Sequence, residues 1–371
     1  MKFIIQKLFL QAVIFFSAIH AFAQVNWPAP EVGQMYRNAQ EYVAAGNFKD
    51  AVITYKQAII LAPGIMILYR DLGDALYRSG NYNEAEQVLT PLLTKPEADA
   101  QCYQLLAVSQ AAQQHTKHAM ATLKKGLARF PESGLLYHET GKVYDLEKKQ
   151  EAALNVWLDG ISKEPGFAEN YYDAASIYLS SDKSILPAGR QVWGLLYGEM
   201  FLAMEHDTTG DDAMKSKLFK AWKTMFDNIV QDEVPQYGKP VKHAPVTTFE
   251  AAVQQVYSSL TPVVSDGITT ENLTMVRARF LMEWFSVYGK KYPFSYFTYL
   301  DNVIRSGHFD MYNEWLFGKA ESAIQYEAWN TFHEGDMQRF LQWKSANRFT
   351  PAGNDSYNDR NIRPLFSKKK K

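Results

Sequence analysis

This chain of 371 residues contains a single cysteine and almost no net charge, with 39 Lys and Arg against 40 Asp and Glu. One cysteine excludes an intramolecular disulfide and a thiolate metal cluster. A formal charge of -1 provides no overall field that would attract nucleic acid or an anionic membrane. Cys102 lies in an apolar helical pattern without an adjacent base, so we interpret it as a small core residue.

Patterns that would indicate chemistry are also scarce. Gly141-Lys142 lacks the preceding glycines and the strand that a phosphate-binding loop requires. His115 and His118 lie three residues apart, but no third imidazole or carboxylate accompanies them. His333, next to Gly335, is interpreted as a contact at a helix C-terminus and not as an acid or base. The sequence therefore predicts no catalytic residue, no cofactor and no metal.

An apolar run near the N-terminus predicts a signal peptide. Lys2 and Lys7 precede the run at 8–19, and Ala21-Phe22-Ala23 places small residues where a signal peptidase cuts. The run is too short for a membrane span of about 20 residues. We predict cleavage before Gln24, which lowers the formal charge from -1 to -3 because two lysines are lost. The mature protein is then periplasmic or in the cell envelope, or secreted; an uncleaved anchor is the alternative.

A 34-residue interval organises the first half of the chain. The small residues at one position of the repeat are Ala51, Ala85, Ala119 and Ala153, and the aromatic residues at another are Tyr69, Tyr103, Tyr137 and Tyr171. An interval of this length is typical of stacked helix hairpins. Small residues allow the two helices of a hairpin to approach, as with Gly73 and Ala85. Gly46 and Gly80 are predicted to end first helices.

The segment 32–181, which contains these residues, resembles a tetratricopeptide-repeat (TPR) array. The first repeat matches the family pattern at Tyr42, Gly46, Phe48, Ala51, Tyr55, Ala58 and Pro63. In the third and fourth repeats Gln114 and Lys148 replace the turn glycine, so we expect looser turns there. The resemblance implies an all-α fold, a right-handed α-solenoid of helix hairpins followed by a helical C-terminal region. It also implies a role in binding proteins and transfers no catalytic residue.

The same resemblance indicates where a partner binds, because first helices line the concave face of such arrays. In each first helix, the residues one and five positions after the recurring aromatic site are expected to point inward. Tyr77 and Asp145, one turn further along their helices, extend this set. These candidate partner-binding residues are Tyr36, Gln40, Arg70, Asp74, Tyr77, Gln104, Val108, His138, Lys142, Asp145, Tyr172 and Ser176.

The composition of this groove bears on the kind of partner. Arg70 and Lys142 match only in part the basic residues with which TPR relatives hold a terminal carboxylate, and Gln104 lies between them. A mixture of Tyr, Arg, Asp and His suits an extended or helical protein segment better. We predict a protein or peptide partner, no nucleic acid and no integral membrane segment after signal cleavage. The alternative is a solvated groove that binds nothing.

The second half is helical and rich in aromatic residues. Helices are predicted at 296–304, 311–317 and 320–332, with Thr247 and Thr270 as N-caps of earlier ones. Gly307-His308-Phe309 and Gly335-Asp336-Met337 are similar to the repeat turns, which indicates degenerate hairpins. As an alternative function, this half binds or processes carbohydrate through stacking platforms. Those platforms would be Trp284, Trp315, Trp329 and Trp343, although we expect Trp284 and Trp315 to be buried.

The domain organisation follows from these patterns. We assign 1–23 to the signal peptide, 24–31 to an N-terminal linker, 32–181 to the TPR array, 182–233 to long capping helices, 234–246 to a linker, 247–350 to an aromatic-rich helical domain and 351–371 to a disordered basic tail. The function predicted for the whole is a non-catalytic scaffold or adaptor for protein–protein interaction.

Overall fold

A computed structural model of the chain describes residues 27–180, 191–205, 211–233 and 246–353. Within those ranges the regular structure is helical and no strand occurs. Two compact units divide between Ala119 and Met120. The predicted signal peptide, residues 234–245 of the predicted linker and residues 354–371 of the predicted tail lie outside the described residues, as do 24–26, 181–190 and 206–210.

The first unit consists of helix hairpins that follow one another along the chain. Its helices are α1 (Pro30–Ala44), α2 (Phe48–Leu61), α3 (Met66–Arg78), α4 (Tyr82–Leu89) and α5 (Ala100–Ala112), and α6 (Thr116–Arg129) crosses the division. The helix α4 is short because Pro91 has no N–H to continue it, and a 3₁₀ turn at Thr90–Thr94 follows. Each hairpin buries one apolar stripe, as Tyr55, Leu68 and Leu76 show with 0% exposure.

The hairpin turns share one geometry, whether or not a glycine is present. A residue in the left-handed region, with φ between 61° and 81°, ends each first helix of the four repeats: Gly46, Gly80, Gln114 and Lys148. In the fourth turn the Lys149 amide donates to the Tyr144 carbonyl oxygen over 2.9 Å, and the first three turns make the same bond. The prediction of looser turns at Gln114 and Lys148 is therefore wrong. Those two residues adopt the glycine conformation at a cost of about 1–2 kcal/mol each.

Small residues in the hairpins make room for large ones. The repeated alanines are fully buried, with Ala51, Ala85 and Ala153 at 0% exposure. A Cβ atom on Gly73 would lie 2.5 Å from the Leu89 side chain. A Cβ atom on Gly141 would overlap the indole of Trp157. In these two repeats the first-helix glycine thus accommodates a bulky side chain one turn beyond the second-helix alanine.

The second unit begins with two further hairpins and continues as a helical assembly. Its helices are α7 (Gly134–Leu146), α8 (Gln150–Lys163), α9 (Ala168–Tyr178), α10 (Gln191–Met204), α11 (Asp212–Glu233), α12 (Phe249–Ser259), α13 (Thr270–Val287), α14 (Ser295–Arg305), α15 (Phe309–Asn313), α16 (Lys319–Glu321) and α17 (Ala323–Ala346). A π turn at Glu314–Gly318 joins α15 to α16. One aromatic core connects them, in which Phe249 stacks on Trp193 at 5.1 Å and meets Trp284 edge-on at 5.3 Å.

Several boundaries in the second unit differ from those predicted. The N-caps are Thr248, whose hydroxyl accepts from the Ala251 amide, and Thr269, which forms a capping box with Asn272. The predicted caps, Thr247 and Thr270, are each one residue from the observed ones. The capping residue must have an extended backbone, and Thr248 and Thr269 are the residues that have it. The turn at Gly307 does have the repeat geometry, with φ 75° and a bond from the His308 amide to the Val303 carbonyl.

The prediction of a turn at Gly335 is wrong. Gly335 lies inside α17, which continues to Ala346. A glycine inside a helix costs only about 1 kcal/mol relative to alanine, and burial of Met337 and Phe340 just beyond it holds the second part of α17 in place. His333 is consequently a mid-helix residue, stacked on Trp329 with ring centroids 4.3 Å apart. It does not contact a helix end.

Candidate partner-binding face

In the first unit, the predicted inward residues converge on one buried carboxylate, Asp71 of α3. The Tyr36 hydroxyl donates to Oδ2 over 2.8 Å, the Gln40 amide donates to Oδ2 over 3.0 Å, and Arg70 Nε donates to Oδ1 over 2.9 Å. Asp71 is only 9% exposed. Burial raises its pKa, and the charge of Arg70 and the hydroxyl of Tyr36 limit that rise. Asp71 thus joins the first helices α1 and α3.

Arg70 continues this network to the next first helix. Its Nη1 donates to Asp99 Oδ2 over 2.8 Å, while Asp99 Oδ1 accepts from the Cys102 amide and caps α5. Partial burial raises the pKa of Asp99, but the bonds from Cys102 and Arg70 outweigh this effect and lower the pKa overall. Cys102 itself is fully buried, as predicted, and burial raises its pKa to about 12. This thiol is therefore a core group.

The remaining candidates of the first unit are more accessible. Asp74 pairs with Arg78 one turn later, at 2.9 Å between Oδ2 and Nε. The Tyr77 ring lies against Tyr82 with centroids 5.6 Å apart. Tyr77, Gln104 and Val108 are each partly exposed. These residues lie on the same helix faces as the Asp71 network and leave surface available to a second molecule.

In the second unit, His138 of α7 makes the corresponding cross-link. Its Nε2 lies 3.0 Å from Asp173 Oδ2 on α9, and its Nδ1 lies 3.7 Å from Glu139 Oε1. The ring also packs on Phe167 at 5.8 Å. Burial lowers the pKa of His138, but the two carboxylates outweigh burial and raise the pKa to about 9. The imidazole is therefore positively charged at neutral pH.

The other candidates of this unit are arranged around Lys142 and Lys217. Lys142 Nζ lies 3.6 Å from Glu139 Oε2 with half of its side chain exposed. Lys217 of α11 donates to the Ser176 hydroxyl over 3.0 Å and lies 5.3 Å from the centre of the Tyr172 ring. Asp145 is partly exposed. Helix α11 thus lies beside α9, and its lysine contacts the face that Tyr172 and Ser176 form.

Three acids that the sequence analysis missed support these faces. Asp71, Glu139 and Asp173 occupy the same position of the 34-residue repeat. Asp71 accepts from Tyr36, and Asp173 faces His138, so each of these two acids contacts a residue 35 positions earlier, on the previous first helix. The repeat interval that revealed the alanines would have revealed these acids as well. They fix the orientation of candidates that were expected to point into the groove and contact a partner.

A second polar network is buried in the C-terminal half. Arg277, which is 2% exposed, donates to Glu199 and to Asn313, and the Tyr296 hydroxyl donates to the same Glu199 carboxylate over 2.7 Å. Trp222 Nε1 donates to its other oxygen over 3.3 Å. The adjoining cavity measures about 20 Å³, which is the size of one water molecule. This ion pair is therefore part of the core and not a ligand site.

The tryptophans proposed as sugar platforms divide into two kinds. Trp284 and Trp315 are buried, with 0% and 4% exposure, as expected. Trp329 and Trp343 are partly exposed, but each has a histidine against its ring, His333 at 4.3 Å and His308 at 5.1 Å. Two of the four are thus excluded as stacking platforms.

The described ranges provide no further sign of chemistry or of membrane insertion. No group of three or more His, Cys, Asp or Glu side chains in them is placed to hold a metal ion. His115 and His118 are both exposed, with rings 5.8 Å apart. None of the helices described is both long enough and apolar enough to cross a bilayer.

Comparison with known proteins agrees with this fold. The family model described as Tetratricopeptide repeat matches residues 42–109, the part of the first unit that runs from the end of α1 into α5. This segment is therefore similar to the family in sequence and has its hairpin structure. A search of the curated proteins found no match.

Solved structures with similar helix arrangements are distant. A thermophilic TPR protein of Thermus thermophilus is 17% identical, with 52% of this chain and 98% of that one covered and a TM-score of 0.42. MamA from Desulfovibrio magneticus is 14% identical, with 47% and 96% covered and a TM-score of 0.36. YrrB, described as a TPR protein with an unusual peptide-binding site, is 16% identical, with 47% and 86% covered and a TM-score of 0.32. Likeness at this level does not transfer a function.

Proposed function

We propose that this chain is a non-catalytic scaffold that binds a protein or peptide segment along the first helices of its repeats. The observation that carries the proposal is that acids at one position of the 34-residue repeat, Asp71, Glu139 and Asp173, hold aromatic and basic side chains of the first helices in fixed orientations. Preorganised polar and aromatic groups lose little conformational entropy on binding, which favours affinity. Stacked hairpins also present a surface long enough for an extended or helical segment.

The candidates divide into residues that build the face and residues that are accessible to a partner. Tyr36 and His138 hold neighbouring first helices together through Asp71 and Asp173. Tyr77 is partly exposed, and Lys142 has 52% of its side chain exposed. We therefore expect Tyr77 and Lys142, with the adjacent acids, to make the direct contacts in their respective units.

A peptide-selection experiment tests this function. Random peptides displayed on phage would be selected on the purified chain, and the affinity of each selected peptide measured by calorimetry. Tyr77→Ala and Lys142→Glu should each weaken binding of peptides seated at their unit by about tenfold or more. The control is Lys124→Glu, on the exposed side of the second helix α6. Failure to select any peptide, or equal losses in the control, would contradict the proposal.

We further propose that the protein works in the bacterial cell envelope. The support is the N-terminal pattern of Lys2 and Lys7, an apolar run and Ala21-Phe22-Ala23. Sequencing the N-terminus of the protein after expression in a Gram-negative host, with fractionation of the cells, tests this. We expect a chain that begins at Gln24 in the periplasmic fraction. An unprocessed chain in the cytoplasm would rule the localisation out.

A further inference from the structure

Helix α17 has apolar side chains on two opposite faces. Met337 and Phe340 point into the core, with 5% and 0% exposure. On the other side, Ile324 and Phe332 are each 86% exposed, and the exposed Ala328 lies midway between them at helical spacing. We refer to Ile324, Ala328 and Phe332 as the outer stripe. A helix on a protein surface normally has a polar outer face, so this face has the character of one covered by another molecule.

The outer stripe has the shape of a helix-packing ridge. Its three residues follow the i, i+4, i+8 row that forms ridges between helices, with a small residue between two large ones. Exposures of 86% for Ile324 and Phe332 exceed those of the other exposed large apolar residues in the described ranges, of which Ile60 follows at 78%. A helix laid against this row would bury both large side chains together.

Acidic residues surround the start of α17. Glu321 and Glu327 flank the outer stripe, and Glu271, Asp310 and Glu314 belong to neighbouring helices of the same unit. Burial raises the pKa of Glu314, the negative charges of Glu321, Asp310 and Glu271 raise it further, and His333 lowers it in part. Glu271 and Asp310 are exposed, and Glu314 is half-buried. The nearby Lys319 ammonium is already paired with Asp212 at 2.6 Å.

Aromatic rings lie beside these acids. A Cβ atom on Gly318 would lie 2.5 Å from Glu314 Oε2 and 2.7 Å from the Tyr326 ring, which places that carboxylate and that ring at one spot. Tyr326 stacks on Trp329 with centroids 6.1 Å apart. A carboxylate beside an aromatic face is a favourable site for a guanidinium or ammonium group.

We propose that this surface binds a basic amphipathic helix of a partner protein, one with apolar residues at i, i+4 and i+8 and with Lys or Arg beside them. The outer stripe packs against the apolar row of the partner helix, and the acids around Glu314 form ion pairs with its basic side chains. A second copy of the chain fits less well, because a twofold contact would bring two acidic clusters together. An anionic membrane is repelled by the same charges. This surface lies outside the first-helix row of the repeats, so it is separate from the proposed peptide-binding face.

The test uses the full chain and a designed peptide. The probe is a fluorescein-labelled helical peptide of about 16 residues, or four turns, with Leu at i, i+4 and i+8 and Lys on both flanks. A second peptide replaces every Lys by Glu. Binding is followed by fluorescence anisotropy at increasing NaCl. We expect binding of the Lys peptide that weakens with salt, and no binding of the Glu peptide.

Variants with matched controls locate the binding. Phe332→Ser and Glu327→Lys should each weaken binding of the Lys peptide by about tenfold or more. The controls are Met282→Ser, at a residue 74% exposed on α13, and Asp227→Lys, at an exposed position of α11. All four sites are exposed, so circular dichroism should show unchanged folding.

Three results would overturn the proposal. One is absence of Lys-peptide binding to the folded chain, and another is equal affinity in the variants and in wild type. The third is a dimer in analytical ultracentrifugation that Phe332→Ser converts to a monomer, since the stripe would then join two copies. The peptide-selection experiment does not depend on Phe332 or Glu327, so either proposal can fail without the other.

Discussion

The ion pair between His138 and Asp173 should make the stability of the protein depend on pH in the alkaline range. The pKa of His138 is raised from 6.5 to about 9 in the folded protein. A group that binds its proton more tightly when folded contributes stability below its unfolded pKa and loses it as pH rises through the folded pKa. The contribution is therefore complete below about pH 6.5 and disappears on passing pH 9.

The size of this contribution follows from the two pKa values. A pKa that rises from 6.5 to about 9 corresponds, at about 1.4 kcal/mol for each pKa unit, to about 3–4 kcal/mol before solvent screening. The side chain of His138 is 14% exposed, so solvent screens the pair only in part. Stability of a whole domain is about 5–15 kcal/mol, which makes a change of this size readily measurable.

Two measurements check the prediction. NMR titration of the His138 ring protons should give a midpoint near pH 9, and Asp173→Asn should move the midpoint back toward 6.5. Urea unfolding at several pH values should show that wild type exceeds His138→Gln in stability at pH 6 by up to about 3 kcal/mol and loses that advantage by about pH 10. A titration midpoint at or below 6.5 would show that burial outweighs the two carboxylates and would refute the reasoning.

Three further predictions concern stability and can be checked by chemical denaturation. Lys148→Gly should raise the free energy of unfolding by about 1 kcal/mol, because glycine adopts the left-handed backbone there without strain. The control Gly64→Ala should be neutral or slightly stabilising. A loss of stability in Lys148→Gly would contradict this prediction. Arg277→Met should cost about 3–5 kcal/mol because it leaves the Glu199 carboxylate buried and unpaired, and a loss below about 1 kcal/mol would mean that the ion pair contributes little. Gly141→Ala should lower the free energy of unfolding by about 1–3 kcal/mol and alter the near-ultraviolet circular dichroism, because the added methyl group overlaps the packed indole of Trp157. An unchanged spectrum and an unchanged stability would contradict this prediction.

The repeated hairpins could be predicted because their signal is local and periodic. Ala51, Ala85 and Ala153 recur at a fixed interval, and each turn is specified by a few adjacent residues. The left-handed turns at Gln114 and Lys148 were mispredicted for the opposite reason, since packing of the two helices imposes a backbone conformation that those residues do not favour on their own. Gly335 was mispredicted in the same way, because burial beyond it outweighs its weak helix propensity.

The candidate site could be predicted only as a set of positions. Their place on the first helices follows from the repeat, but the bonds they make depend on neighbours 35 residues away. Tyr36 and His138 therefore prove to be supports of the face, held by Asp71 and Asp173. No pattern of neighbouring residues in the sequence identifies two side chains that contact each other across 35 positions.

In the C-terminal half, contacts between residues far apart in the sequence are even less predictable. Glu199 and Arg277 are 78 residues apart in sequence, and neither stands in a motif. Apolar patterning predicted that both segments are helical, because periodicity is a property of each helix alone. Which helices meet is decided by the joint packing of many aromatic side chains.

By itself, the order of residues determined the helical class, the 34-residue hairpins and the places of the candidate residues on the first helices, since each depends on spacing along one or two helices. Tertiary structure alone decided which of those side chains are engaged by acids of neighbouring helices, which tryptophans are covered and which face of α17 is left exposed. These features arise from contacts between distant segments, and the free energy of such contacts depends on burial and distance in space, which spacing along the chain does not specify.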